Sequence, residues 1–523
     1  MNSSSYDQVP YESYPYSKTH PDNLATIGAL FGMTPPDVDL CRVLELGCAG
    51  GGNLIPMAVA LSNSSFQGID LSRRQVEDGS QVVRELGLSN IQLEHRSILE
   101  VDRDWGQFDY IICHGVYSWV SSDVQRKILQ ICTENLAPNG VAYVSYNTYP
   151  GWHMRGMIRE MMNFHADGFD DTENRVGQSR ALLDFLIKAT PDDGSAYDLL
   201  LKEELKILQA STDSYLFHEH LEDYNQPIYF FQFVEQAEAA GLRFLAEAEF
   251  GVMVPNAFSP EIRETLAKIA PNIIHMEQYM DFLRSRMFRR TLLCHANVRL
   301  NREIGPDRVR DLYVSSALVP TEDLGQDPRS QLEMNFQHPH GTSISVQDPL
   351  HKGALLYLNQ IWPRCTCVDG LPSLSRIQRG VEQTSESECD HESQSVCELV
   401  LECFSSDLVE LRLRADRFTT VVSGLPETTS LARHQASKGS IVTNLRHETV
   451  QLEELDRRTL ALLDGTHSID SLRDELADLV LAGELTIEQE NTPMSDASEI
   501  KGVIAEALKQ IMPKLARLAI LIQ

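Results

Sequence analysis

A glycine-rich turn between an apolar strand and a helix is the feature that most limits how this chain can fold. Arg42–Leu46 has the composition of a buried strand, residues 47–52 (GCAGGG) form the turn, and a helix is predicted from about Asn53. Pro56 is compatible with the first turn of that helix. A strand, turn and helix of this kind let the backbone approach a ligand closely and point the helix amino terminus at it. The turn therefore predicts a nucleotide site in an α/β domain.

Short apolar runs continue to alternate with amphipathic stretches beyond this unit. Runs rich in β-branched and aromatic residues predict strands, and apolar spacings of three and four predict helices. The predicted strands cover residues 42–46, 65–70, 91–95, 108–113 and 141–146, with helices at 73–86 and 124–135 and a turn at 138–140. Strands that alternate with helices are typical of a doubly wound parallel sheet. The predicted fold class is α/β, with a Rossmann-like sheet.

The pattern of the sequence changes after Trp152. A chain of 523 residues is expected to form three or four folding units. We assign residues 1–155 to the α/β domain, 156–304 to a mostly helical lid, 305–443 to a mixed α+β middle domain and 444–523 to a winged-helix-like carboxy-terminal domain. Residues 380–397 are acidic and poor in large apolar side chains, which predicts a flexible loop. Residues 399–404 and 409–413 are predicted to form paired strands.

The acidic balance of the chain limits its partners. There are 75 Asp and Glu residues against 45 Lys and Arg, a formal net charge of −30. We expect no nucleic-acid substrate, because nucleic-acid binding depends on neutralising phosphates. The chain has no apolar run long enough to cross a bilayer, and its first thirty residues lack the pattern of a secretory signal. A cytoplasmic protein without membrane insertion is predicted.

The cysteine and histidine patterns predict no metal site. Ten cysteines are scattered over the chain, mostly in apolar stretches, which is typical of free thiols in a reducing compartment. The paired spacings of a structural zinc site are absent. In His218-Glu219-His220 the two histidines are alternate residues, which do not share one helix face, so packed or capping histidines are expected there.

The glycine turn could hold more than one kind of nucleotide. Gly47, Ala49 and Gly52 nearly satisfy the dinucleotide pattern G-x-G-x-x-G, and Asp70 follows at the distance of a ribose acceptor. Glu45 favours a different ligand, because a carboxylate is poorly matched to a pyrophosphate but pairs well with an ammonium group. Asp70 ends its strand, where its two oxygens can accept both ribose hydroxyls. S-adenosylmethionine is therefore the predicted cofactor, and an NAD-dependent oxidoreductase is the minor alternative.

Several segments of the chain, in order, resemble one family. They are YDQVPY at 6–11, THP at 19–21, ELGCAGGGN at 45–53, CHGVYSWV at 113–120 and YNTYPGW at 146–152. Together they resemble the bacterial protein-lysine methyltransferases that modify outer-membrane proteins. Residues 215–242 are similar to the family's methyltransferase regulatory domain, and residues 444–447 and 463–465 are similar to its terminal winged-helix domain. The resemblance implies the class I methyltransferase fold, S-adenosylmethionine and, as the substrate, lysine in a protein.

The cofactor-binding residues are predicted from the strand ends and from this resemblance. Ala49 replaces the commoner glycine, and its methyl group needs more room and forbids some backbone angles. Ser97 stands where many relatives carry an acid for the adenine amine, so backbone or hydroxyl contacts are expected there. Tyr11, Tyr14 and Tyr16 are expected to close over the cofactor, with a disordered tail as the alternative. The predicted set is Tyr16, Thr19, His20, Glu45, Gly47, Cys48, Ala49, Gly51, Asn53, Asp70, Leu71, Ser97, Ile98 and His114.

The catalytic candidates lie in the loops after the fourth and fifth predicted strands. Methyl transfer from a sulfonium is an in-line displacement, so the protein must align the acceptor with the methyl group. Aromatic rings can hold a cationic amine, and hydroxyl or amide groups can accept its hydrogen bonds. The predicted catalytic set is Tyr117, Trp119, Tyr146, Asn147 and Trp152. For the two tryptophans, packing of the helical domain against the sheet is the alternative.

We therefore expect an S-adenosylmethionine-dependent N-methyltransferase that acts on lysine side chains of a protein. A methyltransferase for a small molecule is the first alternative, in which the additional domains form a lid and a dimer surface. A cofactor-binding regulator without turnover is the second, and the departures at Ala49 and Ser97 leave room for it. The acidic surface would tolerate or attract a lysine-rich protein, with solubility alone as the favoured explanation of the charge, and a homodimer remains open.

Overall fold

The computed structural model describes residues 13–169, 171–321, 329–381, 386–489 and 492–522. Residues 6–11, which carry the first segment of the resemblance, lie outside the described residues, and so does Tyr11. Within the described parts, no helix is both long and apolar enough to span a bilayer. The cysteines are free thiols, and the described residues hold no group of three or more His, Cys, Asp or Glu placed to bind a metal ion.

A seven-stranded sheet forms the centre of the amino-terminal half. Its strands are β1 (Arg42–Leu46), β2 (Ser65–Asp70), β3 (Ile91–His95), β4 (Phe108–Cys113), β5 (Leu136–Asn147), β6 (Leu242–Glu247) and β7 (Phe288–His295). They lie in the order β3-β2-β1-β4-β5-β7-β6; β1 to β5 are parallel, and β7 is antiparallel to both of its neighbours. The predicted α/β class is confirmed, and β1 to β4 begin and end at the predicted residues.

The fifth strand begins earlier than predicted. It starts at Leu136, and its pairing with β4 jumps from Leu136 opposite Phe108 to Val141 opposite Tyr110. An irregularity of this kind adds residues to one strand without ending its pairing. The turn predicted at 138–140 is therefore an interruption within β5 and does not precede it.

Helices pack on both faces of the sheet. The first four are α1 (Pro21–Leu30), α2 (Leu54–Ala60), α3 (Arg73–Glu85) and α4 (Ser122–Glu134). Val43 and Tyr110 belong to the core on one face, whereas Leu44 and Ile111 belong to the core on the other, because successive strand residues point to opposite faces. The carboxyl ends of the parallel strands remain at one edge, where the glycine turn lies.

A helical lid follows β5. It contains α5 (Trp152–Ala166), α6 (Thr172–Ala189), α7 (Ala196–Ala210), α8 (Asp213–Leu216) and a π-helical turn at Phe217–Leu221. These elements have their own apolar core, which includes Ile158, Leu183, Leu201 and Leu216. The chain then forms α9 (Phe230–Ala239), β6, α10 (Pro260–Ile269), α11 (Ile273–Arg284) and β7. The sequence indicated mostly helix over 156–304 and did not predict β6 and β7, since short apolar runs do not separate buried strands from helices.

The middle of the chain is a mixture of short strands and helices. Its elements are β8 (Tyr313–Ser315), β9 (Val319–Pro320), β10 (Met334–Gln337), β11 (Ser343–Val346), α12 (Pro349–Ile361), β12 (Thr366–Cys367), α13 (Leu371–Arg379), α14 (Glu386–Ser405) and β13 (Glu410–Arg412). The strands form two three-stranded sheets, β11-β10-β9 and β12-β8-β13. In the second of these, β13 lies within the predicted strand at 409–413.

The acidic loop predicted at 380–397 is wrong from residue 386 onward. Residues 386–397 belong to α14, as does the predicted strand at 399–404, while residues 382–385 lie outside the described residues. The apolar spacing explains the difference, because α14 buries side chains three and four residues apart; these are Val396, Leu399, Val400 and Cys403. Glu398 is exposed, so a charged sequence is compatible with a helix that buries one stripe.

The carboxy-terminal domain packs around a separate core. Its elements are α15 (Ser430–Lys438), β14 (Ile441–Thr443), β15 (Thr449–Gln451), α16 (Glu454–Ala461), α17 (Ile469–Leu481), β16 (Glu488–Gln489), β17 (Thr492–Pro493) and α18 (Ala497–Arg517). Ala432 and Ala436 of α15 belong to the same core as Leu472 and Leu508. The structural unit therefore begins before residue 444, where the sequence placed its boundary.

Candidate active site

A cavity of about 540 Å³ lies at the carboxyl edge of the parallel strands. Open α/β sheets bind their ligands at this edge, and the volume is in the usual range of cofactor and small-molecule sites. One end is formed by the glycine turn, by the segments after β2 and β3 and by His114 directly after β4. The other end is formed by the rest of the loop after β4, by the loop after β5 and by the lid. The predicted cofactor-binding residues that line it are Tyr16, Glu45, Gly47, Cys48, Ala49, Asn53, Asp70, Leu71, Ser97, Ile98 and His114.

The turn after β1 uses left-handed backbone at three positions. Gly47 and Gly51 have φ of +78° and +76°, and Ala49 has φ of +48°. A Cβ atom on Gly47 would lie 2.4 Å from Cγ2 of Val116, so both its conformation and the close approach require glycine. Ala49 adopts its conformation against the ordinary preference of an L-residue. Its methyl group is accommodated, and the turn keeps its place at the cavity wall.

Glu45 places a buried carboxylate at the end of β1. Its side chain is 3% exposed, and Oε1 accepts a hydrogen bond of 2.7 Å from Nδ2 of Asn53. Oε2 is buried and has no hydrogen-bond partner within the described residues. Burial raises the pKa of this carboxyl to about 8; the bond from Asn53 acts in the opposite direction and Asp70 adds to the rise. A buried oxygen that lacks a donor fits the ammonium group of S-adenosylmethionine.

Asp70 is held at the end of β2 by backbone donors. Its Oδ2 accepts from the amide of Ala49, and its Oδ1 accepts from the amide of Ser72, both at 2.8 Å. The carboxylate is thus fixed beside the turn, in a position that suits a ribose diol. Ser97 also lines the cavity, but its hydroxyl accepts from the amide of Leu99 at 3.3 Å and caps a short helical turn. A contact between the Ser97 hydroxyl and the adenine amine would therefore have to use the same oxygen that caps this turn.

The amino-terminal segment crosses the glycine turn and adds an aromatic wall. Oγ of Ser13 accepts a 2.8 Å hydrogen bond from the amide of Gly52. The rings of Tyr16 and His114 have centroids 3.9 Å apart. Burial, with a contribution from Arg290, lowers the pKa of His114 to about 3. The imidazole is neutral at pH 7, so it does not repel a positively charged sulfonium.

The loops after β4 and β5 meet at the other end of the cavity. Trp119, Asn147 and Trp152 line this end, and the two tryptophan rings lie edge to face with centroids 6.2 Å apart. The backbone amide of Asn147 donates to Oγ of Ser118 at 2.9 Å, which ties the loops together. Nδ2 of Asn147 donates to Oδ1 of Asn225 at 3.3 Å, so the segment after the lid also reaches this wall.

Tyr117 and Tyr146 do not reach the cavity, so their predicted contact with the acceptor is wrong. Tyr146 is 1% exposed, and its hydroxyl lies 3.0 Å from Oγ1 of Thr291. Tyr117 is fully buried and donates to Oε1 of Gln236 at 2.7 Å. Adjacent strand residues point to opposite faces, so with Asn147 at the cavity Tyr146 must face the other side. Both tyrosines pack behind the site.

Three residues of the predicted cofactor set lie behind the wall. Thr19 is fully buried and accepts from Nδ2 of Asn53 at 3.0 Å. Gly51 is buried within the turn. His20 lines a separate polar cavity of about 460 Å³ between the α/β domain and the carboxy-terminal half. These residues support the cofactor site, and their predicted direct contact is not what the structure shows.

The lid contributes side chains that the sequence did not single out for the site. The additional cavity residues include Arg155, Tyr215, His218, Glu219, Met287 and Phe288. His218 and Glu219 lie on the π-helical turn, a conformation that is frequent at functional sites. The polar run His218-Glu219-His220 was the available signal. Both histidines are buried, as predicted, but the prediction missed that His218 and Glu219 also face the cavity. Nothing local marks Met287 or Phe288, which the sheet brings to the site.

The charges at the lid end favour a cation. Nε of Arg155 lies 3.3 Å from Oε1 of Glu204, and its guanidinium lies 5.7 Å from the ring centroid of Trp152. Glu219 adds a second carboxylate, and its burial raises its pKa against the opposing effect of Arg155. Because Arg155 pairs with Glu204, which does not line the cavity, Glu219 is the lining carboxylate that this end offers to a cation.

Three family models match the chain. A methyltransferase domain matches residues 37–176, the "predicted methyltransferase regulatory domain" matches residues 212–295, and the "PKMT, C-terminal winged helix domain" matches residues 425–520. An uncharacterized protein of Rickettsia prowazekii is 35% identical over 99% of this chain and 93% of its own length. A second protein of that organism is 43% identical over 47% of this chain and 98% of its own length.

Solved structures give the same relationship over the full length. PKMT2 from Rickettsia typhi in complex with AdoHcy has 30% sequence identity to this chain and a TM-score of 0.86, with 98% of this chain and 100% of that chain covered. The structure of PKMT2 described without AdoHcy has 29% identity and a TM-score of 0.88 over the same shares. AdoHcy is the product that S-adenosylmethionine leaves after methyl transfer. The chain therefore belongs to the protein-lysine methyltransferase (PKMT) family, and it is a class I methyltransferase that uses S-adenosylmethionine.

Proposed function

We propose that this methyltransferase acts on lysine side chains of a protein. The observation that carries the proposal is the continuity of one cavity from Glu45 to a wall that contains Trp119 and Glu219. The first end suits the methyl donor, and the second suits a positively charged amine. Similarity to PKMT2 over the full length supports the same class of acceptor, since the lid and the carboxy-terminal domain are included in the match.

The cofactor-side residues bind and orient the donor. When bound, S-adenosylmethionine supplies the methyl group from its sulfonium. Glu45 offers an oxygen that has no donor among the described residues, Asp70 offers a carboxylate fixed by two amides, and His114 adds a neutral ring. Because these groups are held by the strand ends, they lose little conformational freedom when the donor binds.

The acceptor-side residues hold the amine and take its proton. A lysine amine is protonated at neutral pH and must lose a proton before its lone pair can react. Arg155 already lies over the ring of Trp152, so we assign the substrate ammonium to Trp119, which can attract it by a cation–π contact. Glu219 would accept the proton on its carboxylate. Burial favours this role, because a raised pKa makes its carboxylate a stronger base than an exposed glutamate.

Transfer of a labelled methyl group tests the proposal. The full-length protein would be incubated with methyl-labelled S-adenosylmethionine and a cell-envelope protein extract, and labelled peptides would be sequenced by mass spectrometry. We expect label on lysine Nε atoms. A matched extract with acetylated lysines should lose the label, because acetylation removes both the nucleophilic lone pair and the charge.

Other distributions of the label would overturn the proposal. Label on carboxylate, histidine or arginine side chains would assign a protein acceptor of another kind. Label confined to the small-molecule fraction would assign a metabolite as the acceptor. Binding of S-adenosylmethionine without any methyl transfer to the extract or to small molecules would assign a binding role without turnover.

A further inference from the structure

Asn53 connects the methyl-donor site to the carboxy-terminal domain. It stands at the amino-terminal cap of α2, where an asparagine side chain ordinarily bonds the first backbone amides of its helix. Here the side chain makes no such bond and is 3% exposed among residues distant in sequence. We propose that the carboxy-terminal domain completes the methyl-donor site, with His447 as a positioning residue that fixes the Asn53 amide against Glu45. The proposal applies whatever the methyl acceptor is.

Both the nitrogen and the oxygen of the Asn53 side-chain amide have hydrogen-bond partners. Nδ2 donates to Oε1 of Glu45 at 2.7 Å and to Oγ1 of Thr19 at 3.0 Å. Oδ1 accepts from the backbone amide of Tyr16 at 3.0 Å and from Nε2 of His447 at 2.8 Å. Oγ1 of Thr19 also lies 3.1 Å from Oδ1, but its hydroxyl hydrogen has a nearer acceptor, the carbonyl oxygen of Tyr16, at 2.8 Å. Two donors and two acceptors therefore occupy the full capacity of the amide.

This pattern determines the orientation of the amide. If the amide were rotated by half a turn, Nδ2 would face the backbone N–H of Tyr16, which cannot accept a hydrogen bond. Oδ1 must therefore face both Tyr16 and Nε2 of His447, so Nε2 of His447 carries the hydrogen, and Nδ2 faces Glu45. The donor from His447 therefore helps to keep Nδ2 on Glu45 and leaves Oε2 for the ammonium group of the methyl donor.

His447 is constrained to act as that donor. It is 5% exposed, and its backbone has φ of +62°, a left-handed conformation in which histidine is one of the enriched residues. Its ring lies 5.3 Å from the ring of His20. Burial, together with Arg412, lowers the pKa of His447 to about 3, so the ring is neutral at pH 7. The bond to Oδ1 then requires the tautomer with hydrogen on Nε2.

Several other contacts fix the carboxy-terminal half on the α/β domain. Arg414 pairs with Asp37 and Asp39, and Arg417 also pairs with Asp39. Arg417 donates to the carbonyl of Ala60, the last residue of α2, at 2.7 Å. The bond from Arg417 reaches the carboxyl end of α2, and His447 bonds Asn53 at its amino-terminal cap. The carboxy-terminal half thus contacts both ends of α2.

A second histidine provides a matched control at the same interface. Nδ1 of His434 lies 3.5 Å from Oε2 of Glu85, at the exposed end of α3. This contact also joins the carboxy-terminal domain to the α/β domain, but it does not lead to Asn53. Replacing either histidine removes one ring from the interface, and only the replacement of His447 removes a donor from the Asn53 network.

Calorimetric binding of S-adenosylhomocysteine by the full chain tests the inference. The variants are His447→Gly, which suits the left-handed backbone, His447→Gln, which retains an N–H donor, and His434→Gly as the control. We expect His447→Gly to raise the Kd about tenfold, which corresponds to about 1.4 kcal/mol. His447→Gln should recover most of that loss. His434→Gly should bind within about twofold of the unchanged protein, and kcat at saturating S-adenosylmethionine should change little in all three.

The outcomes are separated by comparing variants of similar thermal stability. Equal weakening in His447→Gly and His434→Gly would overturn the inference, because it would show general loosening of the interface. Unchanged binding in His447→Gly would overturn it directly. If His447→Gln were as weak as His447→Gly although both are folded, packing of the ring and not its hydrogen bond would be responsible. A fall in kcat without a change in Kd would show that His447 acts in a step other than donor binding, and it would also contradict the inference.

Discussion

The two ends of the cavity are built in different ways. The donor end is assembled from strand ends and the turn after β1, with side chains between Glu45 and His114. The acceptor end combines the loops after β4 and β5 with the lid and the start of β7. Apart from the link between Asn53 and His447, the donor end therefore follows from neighbouring parallel strands, whereas the acceptor end depends on how separate parts of the chain pack together.

This difference is also chemical. At the donor end, the carboxylates of Glu45 and Asp70 are fixed by short hydrogen bonds from an amide side chain or from backbone amides. At the acceptor end, charged residues stand on the lid, and Arg155 lies between Glu204 and the ring of Trp152. A rigid site suits one constant cofactor, and a site on a separate helical unit can vary with the acceptor. Substitutions should therefore divide into those that change donor binding and those that change turnover.

The largest expected effect is at the acceptor end. Glu219→Gln keeps the size of the side chain but removes the proton acceptor, so kcat should fall by about 10²- to 10⁴-fold, the usual contribution of general-base catalysis. The Kd for S-adenosylmethionine should change less than threefold, since Glu219 lies away from the donor end. Rapid-quench measurement of methyl transfer together with calorimetry would give both values.

The control for this variant is Glu203→Gln, at an exposed glutamate on the same lid that pairs with Lys206. It should leave both kcat and Kd unchanged. A normal kcat in Glu219→Gln would contradict the proposed division of roles between the two ends. A joint loss of donor binding and turnover in this variant would contradict it as well.

A smaller effect is expected at the donor end from Glu45→Gln. The substitution removes the charge that faces the ammonium group, so the Kd for S-adenosylmethionine should rise about 10- to 100-fold, the value of a hydrogen bond to a charged group. The control Glu77→Gln, at an exposed position on α3, should bind normally. Calorimetry at pH 8 measures the difference, and unchanged binding would contradict the role assigned to Glu45.

The pH dependence of donor binding should follow from the same carboxyl. In the free protein its pKa is about 8, so Glu45 is mostly protonated below that pH. The ammonium group stabilises the carboxylate, so binding below pH 8 releases a proton, and affinity should rise by up to about tenfold per pH unit between pH 6 and 8. The gain should end near pH 8, where an α-amino group loses its own proton. Glu45→Gln should abolish the rise; its persistence in that variant would assign it to another group.

The smallest effect is expected at Ala49. Glycine adopts the left-handed backbone without the steric cost that Ala49 carries at φ of +48°, so Ala49→Gly should stabilise the folded protein by about 0.5–1 kcal/mol. Ala505→Gly, within α18, should destabilise it by a similar amount, because glycine is unfavourable inside a helix. Denaturant unfolding of both variants would measure the opposite signs. Destabilisation by Ala49→Gly would show that the methyl group contributes packing that outweighs the strain.

Much of the donor end could be predicted from the sequence because its determinants are local. A buried strand, a glycine turn and a helix follow one another over residues 42–60, and β1 to β4 have the predicted bounds. Glu45 was identified because a carboxylate before the turn suits an ammonium group, and Asp70 because it follows the turn at the distance of a ribose acceptor. Because adjacent strand residues face opposite sides, the prediction of Asn147 at the cavity could also have excluded Tyr146 from it. That alternation was not used in predicting the site.

Only the tertiary structure decided the rest. Phe288 reaches the cavity through the antiparallel strand β7, Glu219 reaches it through the folding of the lid, and His447 reaches Asn53 across 394 positions. No sequence spacing encodes these contacts, because each depends on how units with separate cores pack against one another. The sequence by itself determined the fold class and most of the donor end of the cavity, because short-range geometry is sufficient there. The acceptor wall and the link to the carboxy-terminal domain depend on long-range packing, which local patterns do not specify.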